Sequence, residues 1–439
     1  TMKPISVGLL GIGTVGGGTW NVLKRNRAEI SRRAGREIRI TMVADKDVEK
    51  ARRITAGEAT VVADAMQVVN DPSIDIVVEL IGGYTVAKDL VLAAIANGKH
   101  VVTANKALLA VHGNEIFKAA QEKGVMVAFE AAVAGGIPII KALREGLTAN
   151  RIEWIAGIIN GTSNFILSEM RDKGLSFEEV LKEAQRLGYA EADPTFDIEG
   201  IDAAHKLTIM SAIAFGVPMQ FDKAYTEGIS KLTREDIQYA EQLGYRIKLL
   251  GIAKRVNGGI ELRVHPTLVP ARRLIANVEG VMNAVVVKGD AVGTTLYYGA
   301  GAGAEPTASA VVADLVDVTR LHTADPDHRV PHLAFQPDQI ANIGVLPMEE
   351  VVTAYYFRMR VQDKPGVLAD ITRILADRSI SIDAMMQREP AEGEDQTDII
   401  MLTHEAQEKN VNDAIAAIEA LPVVKGKVTR IRLEELGKN

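Results

Sequence analysis

Short apolar runs alternate with segments of helical periodicity through the first 130 residues of the chain. The apolar runs predict strands at Ile5–Leu10, Ile38–Ala44, Ile76–Leu80, Val101–Thr103 and Val125–Phe129. Between them, the spacing of apolar positions predicts helices at Thr14–Ile30, Val86–Asn97 and Leu108–Lys123. Strands that alternate with helices are typical of a parallel, doubly wound sheet. We therefore predict an α/β fold with a Rossmann-like nucleotide-binding domain over residues 1–130.

Longer helical segments separate the strand-like segments in the next part of the chain. The predicted helices are Phe177–Leu187, Asp202–Phe215 and Arg234–Tyr245, and the predicted strands are Trp154–Ile159, Lys248–Arg255, Ile260–Leu268 and Ala284–Lys288. The stretch before Gly200 shows no helical stripe and is predicted to be a loop. This mixture predicts an α+β domain over residues 131–304, followed by a helix at Thr307–Leu321.

The last part of the chain has a pattern of its own. Residues 322–349 contain four prolines and no clear period, so we predict a linker there. Residues 350–439 are predicted to form a separate domain. Its strands are Thr353–Val361, Ile380–Gln387, Asp398–Thr403 and Val428–Leu433, and its helices are Gly366–Asp377 and Val411–Ala420. That βαββαβ order is typical of a ferredoxin-like fold.

Composition narrows the classes of function. A chain of 439 residues is long enough for about three domains. The absence of cysteine excludes disulfides, thiolate metal sites and every mechanism that needs a cysteine nucleophile. A net charge of −7 argues against nucleic acid as a partner. No apolar run approaches the ~18 residues of a membrane span, and no signal peptide is apparent, so we expect a cytoplasmic protein without a membrane partner.

A glycine-rich turn, GIGTVG, connects the first predicted strand to the first predicted helix. In this position Gly11 permits a tight turn, Gly13 lets the backbone approach a pyrophosphate, and Gly16 allows close packing of the helix. The helix N-terminus offers N–H groups to the phosphates. The turn therefore predicts binding of NAD or NADP, although a tight turn without a ligand is the alternative. The predicted contact residues are Gly11, Ile12, Gly13, Thr14, Val15 and Gly16.

The residues after the second strand give conflicting signals about the cofactor. Asp45 ends the strand, where a carboxylate would accept a hydrogen bond from the adenosine ribose of NAD. Lys46 follows it, and a basic cluster of Lys50, Arg52 and Arg53 lies nearby, which could meet the 2′-phosphate of NADP. The cluster could equally be a solvated helix face. The sequence leaves NAD, NADP or the use of both open.

Two lysines are candidates for chemistry. Lys106 ends the TANK segment Thr103–Lys106, which follows a predicted strand where the ligand crevice of such sheets opens. Lys206 lies four residues after Asp202 on one predicted helix face, next to a run with five carboxylates from Glu191 to Asp202. Carboxylates there could bind an ammonium group while Lys206 transfers a proton. The alternatives are a surface lysine at 106 and an ordinary helix ion pair at 202 and 206.

Two further segments combine glycine with polar groups. GIINGTSN at 157–164 could present hydroxyl and N–H groups to a ligand, or could simply cap a helix. EAAVAGGIP at 130–138 places one carboxylate beside backbone carbonyls, and such oxygen ligands suit a hard cation. An interdomain hinge is the alternative for this second segment.

Together these motifs resemble the homoserine dehydrogenase family, in its monofunctional bacterial form with a C-terminal ACT domain. The likeness spans nearly the whole chain. The segments that carry it are GIGTVG, TANK, EAAVAGGIP, GIINGTSN, the run Asp193–Lys206 and GAGAEPTASAVVAD at Gly301–Asp314. The resemblance implies reversible, NAD(P)H-dependent reduction of L-aspartate 4-semialdehyde to L-homoserine, by direct hydride transfer, in threonine, methionine and isoleucine synthesis.

The resemblance also implies roles for particular residues. Lys206 would donate the proton, Lys106 would be a second catalytic lysine that also contacts the cofactor, and Asp202 would be a third catalytic residue. The remaining implied contacts fall into three groups: substrate at Gly161, Thr162, Glu191, Asp197 and Asp202; cofactor at Thr103, Lys106, Gly188 and Gly303; and a structural sodium ion at Glu130, Val133, Gly135 and Ile137. The helix after residue 304 would pack back on the first domain, and the middle domain would carry catalysis and dimerisation.

Residues 350–439 resemble an ACT regulatory domain, with the turn DKPG at 363–366 as its expected amino-acid site. The resemblance implies feedback inhibition by L-threonine and a homodimer or homotetramer. A dimerisation module without a ligand is the alternative. For the whole chain, the alternatives are another two-domain dehydrogenase of aspartate-derived metabolism and a non-catalytic amino-acid sensor that keeps a nucleotide domain.

Overall fold

A computed structural model describes residues 2–437, which divide into two compact units. The first unit holds residues 2–161, 202–224 and 281–343. The second unit holds residues 162–201, 225–280 and 344–437. Each unit is therefore assembled from three separate stretches of the chain.

The strands of the described residues are numbered in chain order. They are β1 (Ile5–Leu10), β2 (Ile38–Ala44), β3 (Thr60–Val62), β4 (Ile76–Glu79), β5 (His100–Thr103), β6 (Val127–Ala128), β7 (Ile152–Ile158), β8 (Tyr225–Thr226), β9 (Tyr245–Val256), β10 (Gly259–Pro270), β11 (Met282–Gly289), β12 (Gly293–Ala300), β13 (Val352–Gln362), β14 (Ile382–Gln387), β15 (Gln396–Thr403), β16 (Ala406–Gln407) and β17 (Val424–Leu433).

The α-helices of the same residues are α1 (Thr14–Arg25), α2 (Arg27–Ala34), α3 (Val48–Thr55), α4 (Ala65–Asn70), α5 (Val86–Ala96), α6 (Lys106–Lys123), α7 (Ile139–Lys141), α8 (Gly161–Lys173), α9 (Phe177–Arg186), α10 (Thr195–Ile198), α11 (Ile201–Phe215), α12 (Arg234–Gln242), α13 (Ala304–Leu321), α14 (Val367–Asp377) and α15 (Glu408–Glu419). A π-helical turn at Ala142–Gly146 continues α7.

A six-stranded parallel sheet forms the centre of the first unit, in the order β3-β2-β1-β4-β5-β6. This is the strand order of a doubly wound dinucleotide-binding sheet, so the predicted Rossmann-like fold is confirmed. The order reverses between β1 and β4, and the crevice at that switch point opens at the carboxyl ends of the strands.

The long helix α13 packs on this sheet although it lies far along the chain. Its Val311, Leu315 and Val318 share one buried core with Val7 of β1. At Gly18 of α1 an added Cβ would lie 2.5 Å from the carbonyl oxygen of Ala304. Glycine therefore permits the close approach of α1 to the start of α13.

The first unit also contains the antiparallel strands β12-β11-β7 and the part of α11 from Asp202 onward. Every residue from Asp202 to Phe215 is buried. Residues 322–343 form only short 3-10 turns, at Pro326–His328 and Pro337–Gln339.

In the second unit, β9 and β10 form a long antiparallel hairpin. Strand β10 also pairs with β17, in parallel. From β17 the antiparallel order runs β17-β13-β15-β14. The order β13-α14-β14-β15-α15-β17 confirms the predicted βαββαβ arrangement, and β16 is a two-residue addition to it. The core of this domain is apolar and includes Tyr355, Phe357, Ile371, Leu375, Met401 and Ile418.

Several sequence predictions differ from the structure in detail. The single helix predicted at Thr14–Ile30 is two helices, because the chain leaves helical geometry at Asn26 (φ −104°, ψ 23°). The sequence did not predict the short elements α3, β3 and α4, nor the longer α8 and β12. The segment predicted as a loop before Gly200 contains the single turn α10. Within residues 2–437 no helix has the length and apolar character needed to cross a membrane.

Candidate active site and nucleotide pocket

The glycine turn lies at the switch point of the parallel sheet. Gly11 has a φ of +92°, and its N–H donates to the carbonyl of Ala44 at 2.8 Å. A Cβ added to Gly16 would lie 2.4 Å from the carbonyl oxygen of Gly11, whereas a Cβ added to Gly13 would meet no atom within 4 Å. Gly16 therefore permits close packing, while the space in front of Gly13 can accept a phosphate. Thr14 and Val15 form the first turn of α1 beside it.

A cavity of about 670 Å³ opens in front of this turn, within the usual size range of small-molecule sites. Its walls come from the carboxyl ends of β1, β2 and β4 and from the segments that follow them. The lining includes Gly11, Gly13, Asp45, Lys46, Asp64, Leu80, Gly82 and Thr85. The cavity has the position and the backbone donors expected for a dinucleotide.

Asp45 lines the cavity and also shapes it. One carboxylate oxygen accepts the N–H of Ile12 and the other accepts the N–H of Asp47, each at 2.8 Å. The residue therefore holds the glycine turn and the start of α3 together. Lys46 lines the same cavity, whereas Arg52 pairs with the exposed Glu49 on α3. Both an acidic residue, Asp45, and a basic residue, Lys46, thus line the candidate nucleotide pocket.

A second polar cluster surrounds Asp202 in the first unit. Its carboxylate lies 2.7 Å from Nζ of Lys206 and 3.1 Å from Nζ of Lys106, and it accepts a hydrogen bond from the Asn160 amide at 2.9 Å. Nζ of Lys206 also donates to the carbonyl of Ile159 at 2.7 Å. One buried carboxylate therefore joins two lysines from distant parts of the sequence.

Three elements deliver these side chains. Lys106 is the first residue of α6, directly after β5, and the Asn105 side chain caps that helix. Asp202 and Lys206 lie one turn apart on α11, and Asn160 follows β7. The sequence predicted the pair on α11 from its spacing, but only the fold brings Lys106 to the same carboxylate.

Burial and charge act in opposite directions on Asp202. Desolvation favours the neutral acid, but the ammonium groups of Lys206 and Lys106 outweigh it, and the pKa of Asp202 lies well below its usual value. The pKa of the adjacent His205 is lowered to about 4, mainly by burial and also by the two lysines, while the Asp202 charge opposes this. Near neutral pH the cluster therefore contains an ionised carboxylate next to a neutral imidazole.

Four predicted site residues belong to the second unit: Thr162, Glu191 and Asp197 for the substrate and Gly188 for the cofactor. Thr162 Oγ donates to the carbonyl of Tyr189 at 2.6 Å, close in sequence to Gly188, which has a φ of +81°. Ser163 Oγ donates to the carbonyl of Asp197 at 2.8 Å, and Glu191 is exposed. The start of α8 and the 188–197 segment thus meet within this unit.

Close packing surrounds Gly161, the last residue of the first unit before the chain enters the second. A Cβ added there would lie 2.7 Å from the carbonyl oxygen of Val281. Glycine is therefore required where α8 begins. The substrate roles of Gly161, Thr162, Glu191 and Asp197 stay predictions.

The predicted cation segment is buried in the first unit. The Glu130 carboxylate accepts N–H groups of Ile140 and Lys141 at 2.9 and 3.0 Å, and the Glu130 N–H donates to Asp314 at 2.9 Å. Burial and, to a smaller extent, the Asp314 charge together raise the pKa of Glu130 to about 7. Among residues 2–437 no cluster of three or more His, Asp or Glu side chains could hold a metal ion. A cation here would depend on backbone carbonyls.

The predicted cation loop also packs on the segment that leads to Gly303. The Gly136 N–H donates to the carbonyl of Ala300 at 2.9 Å, and a Cβ on Gly135 would lie 2.5 Å from the carbonyl oxygen of Gly301. Gly303, with a φ of +117°, is the N-cap of α13. The two glycine-containing loops therefore depend on each other for their shape.

Glu79 and Lys248 are two of the buried charged side chains that sequence reasoning missed. Glu79, the last residue of β4, is fully buried and accepts hydrogen bonds from Asn105 and Thr103. Lys248 on β9 is almost fully buried and donates to the Val278 carbonyl at 2.7 Å, and burial lowers its pKa to about 8. For Glu79, the sequence signal that could have been used is a single charged residue at the end of the apolar run Ile76–Val78.

The fold and the pocket together define a dinucleotide-binding protein built on a Rossmann-like domain. The family model "Homoserine dehydrogenase, NAD binding domain" matches residues 11–130, "Homoserine dehydrogenase" matches residues 138–316, and "ACT domain" matches residues 355–423. The chain belongs to the homoserine dehydrogenase family.

Relatives agree with this assignment over the full chain. A homoserine dehydrogenase of Pseudomonas aeruginosa is 65% identical over 435 residues, covering 99% of this chain and 100% of its own. The crystal structure of a homoserine dehydrogenase from Thiobacillus denitrificans is 75% identical, with a TM-score of 0.95 and 99% of both chains covered. The structure of the S. aureus enzyme at pH 7.5 is 34% identical, with a TM-score of 0.76, and covers 99% of this chain and 100% of its own.

Proposed function

We propose that the protein catalyses the reversible NAD(P)H-dependent reduction of L-aspartate 4-semialdehyde to L-homoserine, in the synthesis of threonine, methionine and isoleucine. The observation that carries this proposal is the Lys106–Asp202–Lys206 cluster. Its Lys106 leaves the same carboxyl edge of the sheet that forms the nucleotide pocket. The absence of cysteine agrees with a direct reduction that needs no thiol intermediate.

When bound, a reduced nicotinamide supplies a hydride to the aldehyde carbon, and the carbonyl oxygen gains the electron pair of the C=O π bond. Lys206 donates a proton from Nζ to that oxygen, which completes the alcohol. Asp202 stabilises the charged form of Lys206 at 2.7 Å and keeps its Nζ in one place. Lys106, more exposed than Lys206, stabilises the developing negative charge on oxygen.

The proposal gives Gly161, Thr162, Glu191 and Asp197 the binding of the substrate's amino acid group. Glu191 and Asp197 supply negative charge for the substrate ammonium group or for the water around it, and Gly161 and Thr162 supply polar backbone and hydroxyl groups. The hydrogen bonds that join Thr162 to Tyr189 and Ser163 to Asp197 support a common site for these residues.

The cofactor choice in this proposal is dual. Asp45 suits the ribose hydroxyls of NAD, and Lys46 suits the 2′-phosphate of NADP, and both line the cavity. The remaining cofactor contacts are Gly11–Gly16, Thr103, Lys106, Gly188 and Gly303.

A monovalent cation fits the chemistry of the segment around Glu130. Glu130 and Asp314 are buried carboxylates joined through a backbone N–H, and Oδ1 of Asp314 has no hydrogen-bond partner among the described residues. A positive ion would offset this buried negative charge. Carbonyl groups of Val133, Gly135 and Ile137 with the Glu130 carboxylate would hold sodium there, in a structural role.

Regulation and assembly complete the proposal. The ACT domain would bind L-threonine near the turn at Gly366, which has a φ of +86°, and inhibit the enzyme. The protein would form a homodimer through the middle domain, or a homotetramer with ACT pairing, and would act in the cytoplasm. The family likeness and the ACT fold support threonine binding, and the family likeness supports these assemblies.

The test is oxidation of NADPH and of NADH with L-aspartate 4-semialdehyde, with and without millimolar threonine. Rapid oxidation that threonine suppresses would support both the catalytic and the regulatory proposals, and the two rates would give the cofactor preference. Oxidation that threonine leaves unchanged would contradict the regulatory proposal alone. No oxidation with either cofactor, together with threonine binding, would favour an amino-acid sensor instead.

A further inference from the structure

Glu79 is a charged side chain at the carboxyl end of an otherwise apolar strand. It follows Ile76, Val77 and Val78 on β4, and none of these four residues is exposed. Its Oε1 accepts a hydrogen bond from the Asn105 amide at 2.9 Å, and its Oε2 accepts one from the Thr103 hydroxyl at 3.3 Å. The N–H of Gly82 also donates to the carboxylate.

A buried carboxylate is costly unless its hydrogen bonds compensate for lost water. Burial raises the pKa of Glu79, and the hydrogen bonds from Asn105, Thr103 and Gly82 oppose that rise. An apolar residue would fill this place at the end of β4 without such a cost. Core packing alone therefore does not explain a carboxylate at this position. Its hydrogen-bond partners Asn105 and Thr103 indicate what it does there.

Asn105 connects Glu79 to two structures of the site. Its amide nitrogen also donates to the carbonyl of Gly83 at 2.6 Å, next to Gly82 in the pocket wall. Its amide oxygen accepts the N–H of Leu108 at 3.0 Å and so caps α6. Donor and acceptor sides of the amide are both used, which leaves the side chain a single orientation.

Thr103 completes the link. Its hydroxyl accepts the N–H of Asn105 at 3.0 Å while it donates to Glu79. Hydrogen bonds of both side chains therefore hold the segment from Thr103 to Asn105 before the chain enters α6. Lys106 is the next residue, and its Nζ lies 3.1 Å from Asp202.

We propose that Glu79 is a positioning residue of the active site: through Asn105 and Thr103 it sets the direction in which Lys106 leaves the sheet. Through Asn105 it also holds the Gly82–Gly83 loop against the nucleotide pocket. This inference rests on the proposed function, because it gives a purpose to the position of Lys106. Glu79 itself contacts neither substrate nor cofactor in this role.

The test compares four variants with the wild type. Glu79→Leu removes the acceptor, and Glu79→Gln keeps the shape and one acceptor oxygen. Asn105→Ser keeps a helix cap but is too short to reach Glu79. Lys99→Met is the matched control, because Lys99 is a buried charged residue that binds the carbonyls of Asp71 and Ile74 beside the opposite end of β5. Melting temperature, kcat, KM, the NADPH Kd and the isotope effect with 4-deuterated NADPH are measured for each.

We expect Glu79→Leu and Asn105→Ser to lower kcat on the order of 10- to 100-fold, the loss that a small misplacement of a reacting group produces. Both should also weaken NADPH binding severalfold and raise the isotope effect, because hydride and proton transfer become slower relative to product release. Glu79→Gln should recover most of kcat. Lys99→Met should lower the melting temperature and leave the kinetic values unchanged.

A folded Glu79→Leu variant with wild-type kcat and NADPH affinity would overturn the inference. So would Glu79→Gln if it lost as much activity as Glu79→Leu, because the charge and not the hydrogen bonds would then matter. If Glu79→Leu did not fold, Asn105→Ser would decide by the same measurements. If the wild type reduced no semialdehyde, the proposed function would fail. Unchanged NADPH affinity in both Glu79→Leu and Asn105→Ser would refute the part of the inference that concerns the Gly82–Gly83 loop.

Discussion

Lys206 and Lys106 share one carboxylate but differ in their surroundings. The Lys206 side chain is 11% exposed and is held by Asp202 and the Ile159 carbonyl, whereas the Lys106 side chain is 41% exposed. An enclosed ammonium group is ordered before substrate arrives, which suits transfer of a proton to one atom. A partly exposed lysine can contact cofactor and substrate from the side of the pocket.

Replacement of Lys206 by alanine should abolish most turnover while NADPH still binds. Loss of a general acid typically costs ~10²–10⁴-fold in kcat, and the glycine turn that binds the cofactor is untouched. Steady-state kinetics and a fluorescence titration with NADPH measure the two properties. Turnover close to that of the wild type would show that Lys206 is not the proton donor.

Replacement of Asp202 by asparagine should move the pH dependence of reduction. The Asp202 carboxylate lies 2.7 Å from the Lys206 ammonium and favours its charged form, so the asparagine variant loses that attraction. Because the proposed reduction needs a protonated lysine, activity should then decline at lower pH than in the wild type. A pH profile of kcat checks this, and an unchanged alkaline limb would contradict it.

At the scale of single elements, the short strand β6 depends on two histidines. The Met126 N–H donates to Nδ1 of His100 at 3.0 Å, and the Val127 N–H donates to Nε2 of His332 at 3.1 Å. Both imidazoles must be neutral at these nitrogens to accept. Burial lowers the pKa of each from 6.5 to about 4 in the folded protein.

Stability should therefore fall in acid because of these two residues. The unfolded chain binds protons at His100 and His332 more tightly than the folded protein, so their contribution is present above pH 6.5 and declines towards pH 4. Urea unfolding at several pH values should show a smaller decline in a His332→Gln variant. The exposed His328→Gln is the control, and an equal effect of both changes would contradict the assignment.

Elements with strong periodicity were predicted well, whereas the short α3, β3 and α4 and the longer α8 and β12 were missed. The sequence predicted β1 and β2 with their observed bounds because their apolar runs end sharply. Helix α3 buries only Ala51 and Thr55, so it leaves no apolar stripe to detect. The break at Asn26 was also missed, because α2 continues the helical pattern beyond it. The buried residues of α2 are Ile30 and Ala34.

At the scale of the whole molecule, the candidate site could be predicted only where its residues are close in sequence. Asp202 and Lys206 follow from a spacing of four on a helix. The contact of Lys106 with Asp202 joins residues almost a hundred positions apart, and no local pattern encodes it. The buried Glu79 was missed for the same reason, because its partners Thr103 and Asn105 lie on another strand and turn.

The ACT domain is joined to the rest of the second unit by a buried ion pair. Asp236 of α12 is fully buried and accepts hydrogen bonds from the Tyr356 hydroxyl at 2.8 Å and from Nε of Arg358 at 2.5 Å, both on β13. The Thr233 hydroxyl also donates to it at 2.8 Å. Such a pair is most sensitive to the removal of one partner, which leaves the other charge buried and uncompensated.

Asp236→Ala should therefore lower the free energy of unfolding by about 3–5 kcal/mol and weaken threonine inhibition, while kcat without threonine stays near the wild-type value. Lys106 and Lys206, the proposed catalytic lysines, belong to the first unit, and Asp236 makes none of their contacts described above. Tyr356→Phe, which removes one hydrogen bond and no charge, is the matched control and should have a smaller effect on both. Chemical denaturation and threonine titration of the semialdehyde-dependent rate measure these outcomes. Full threonine inhibition in a folded but destabilised Asp236→Ala variant would mean that this contact holds the domain in place without transmitting the regulatory signal.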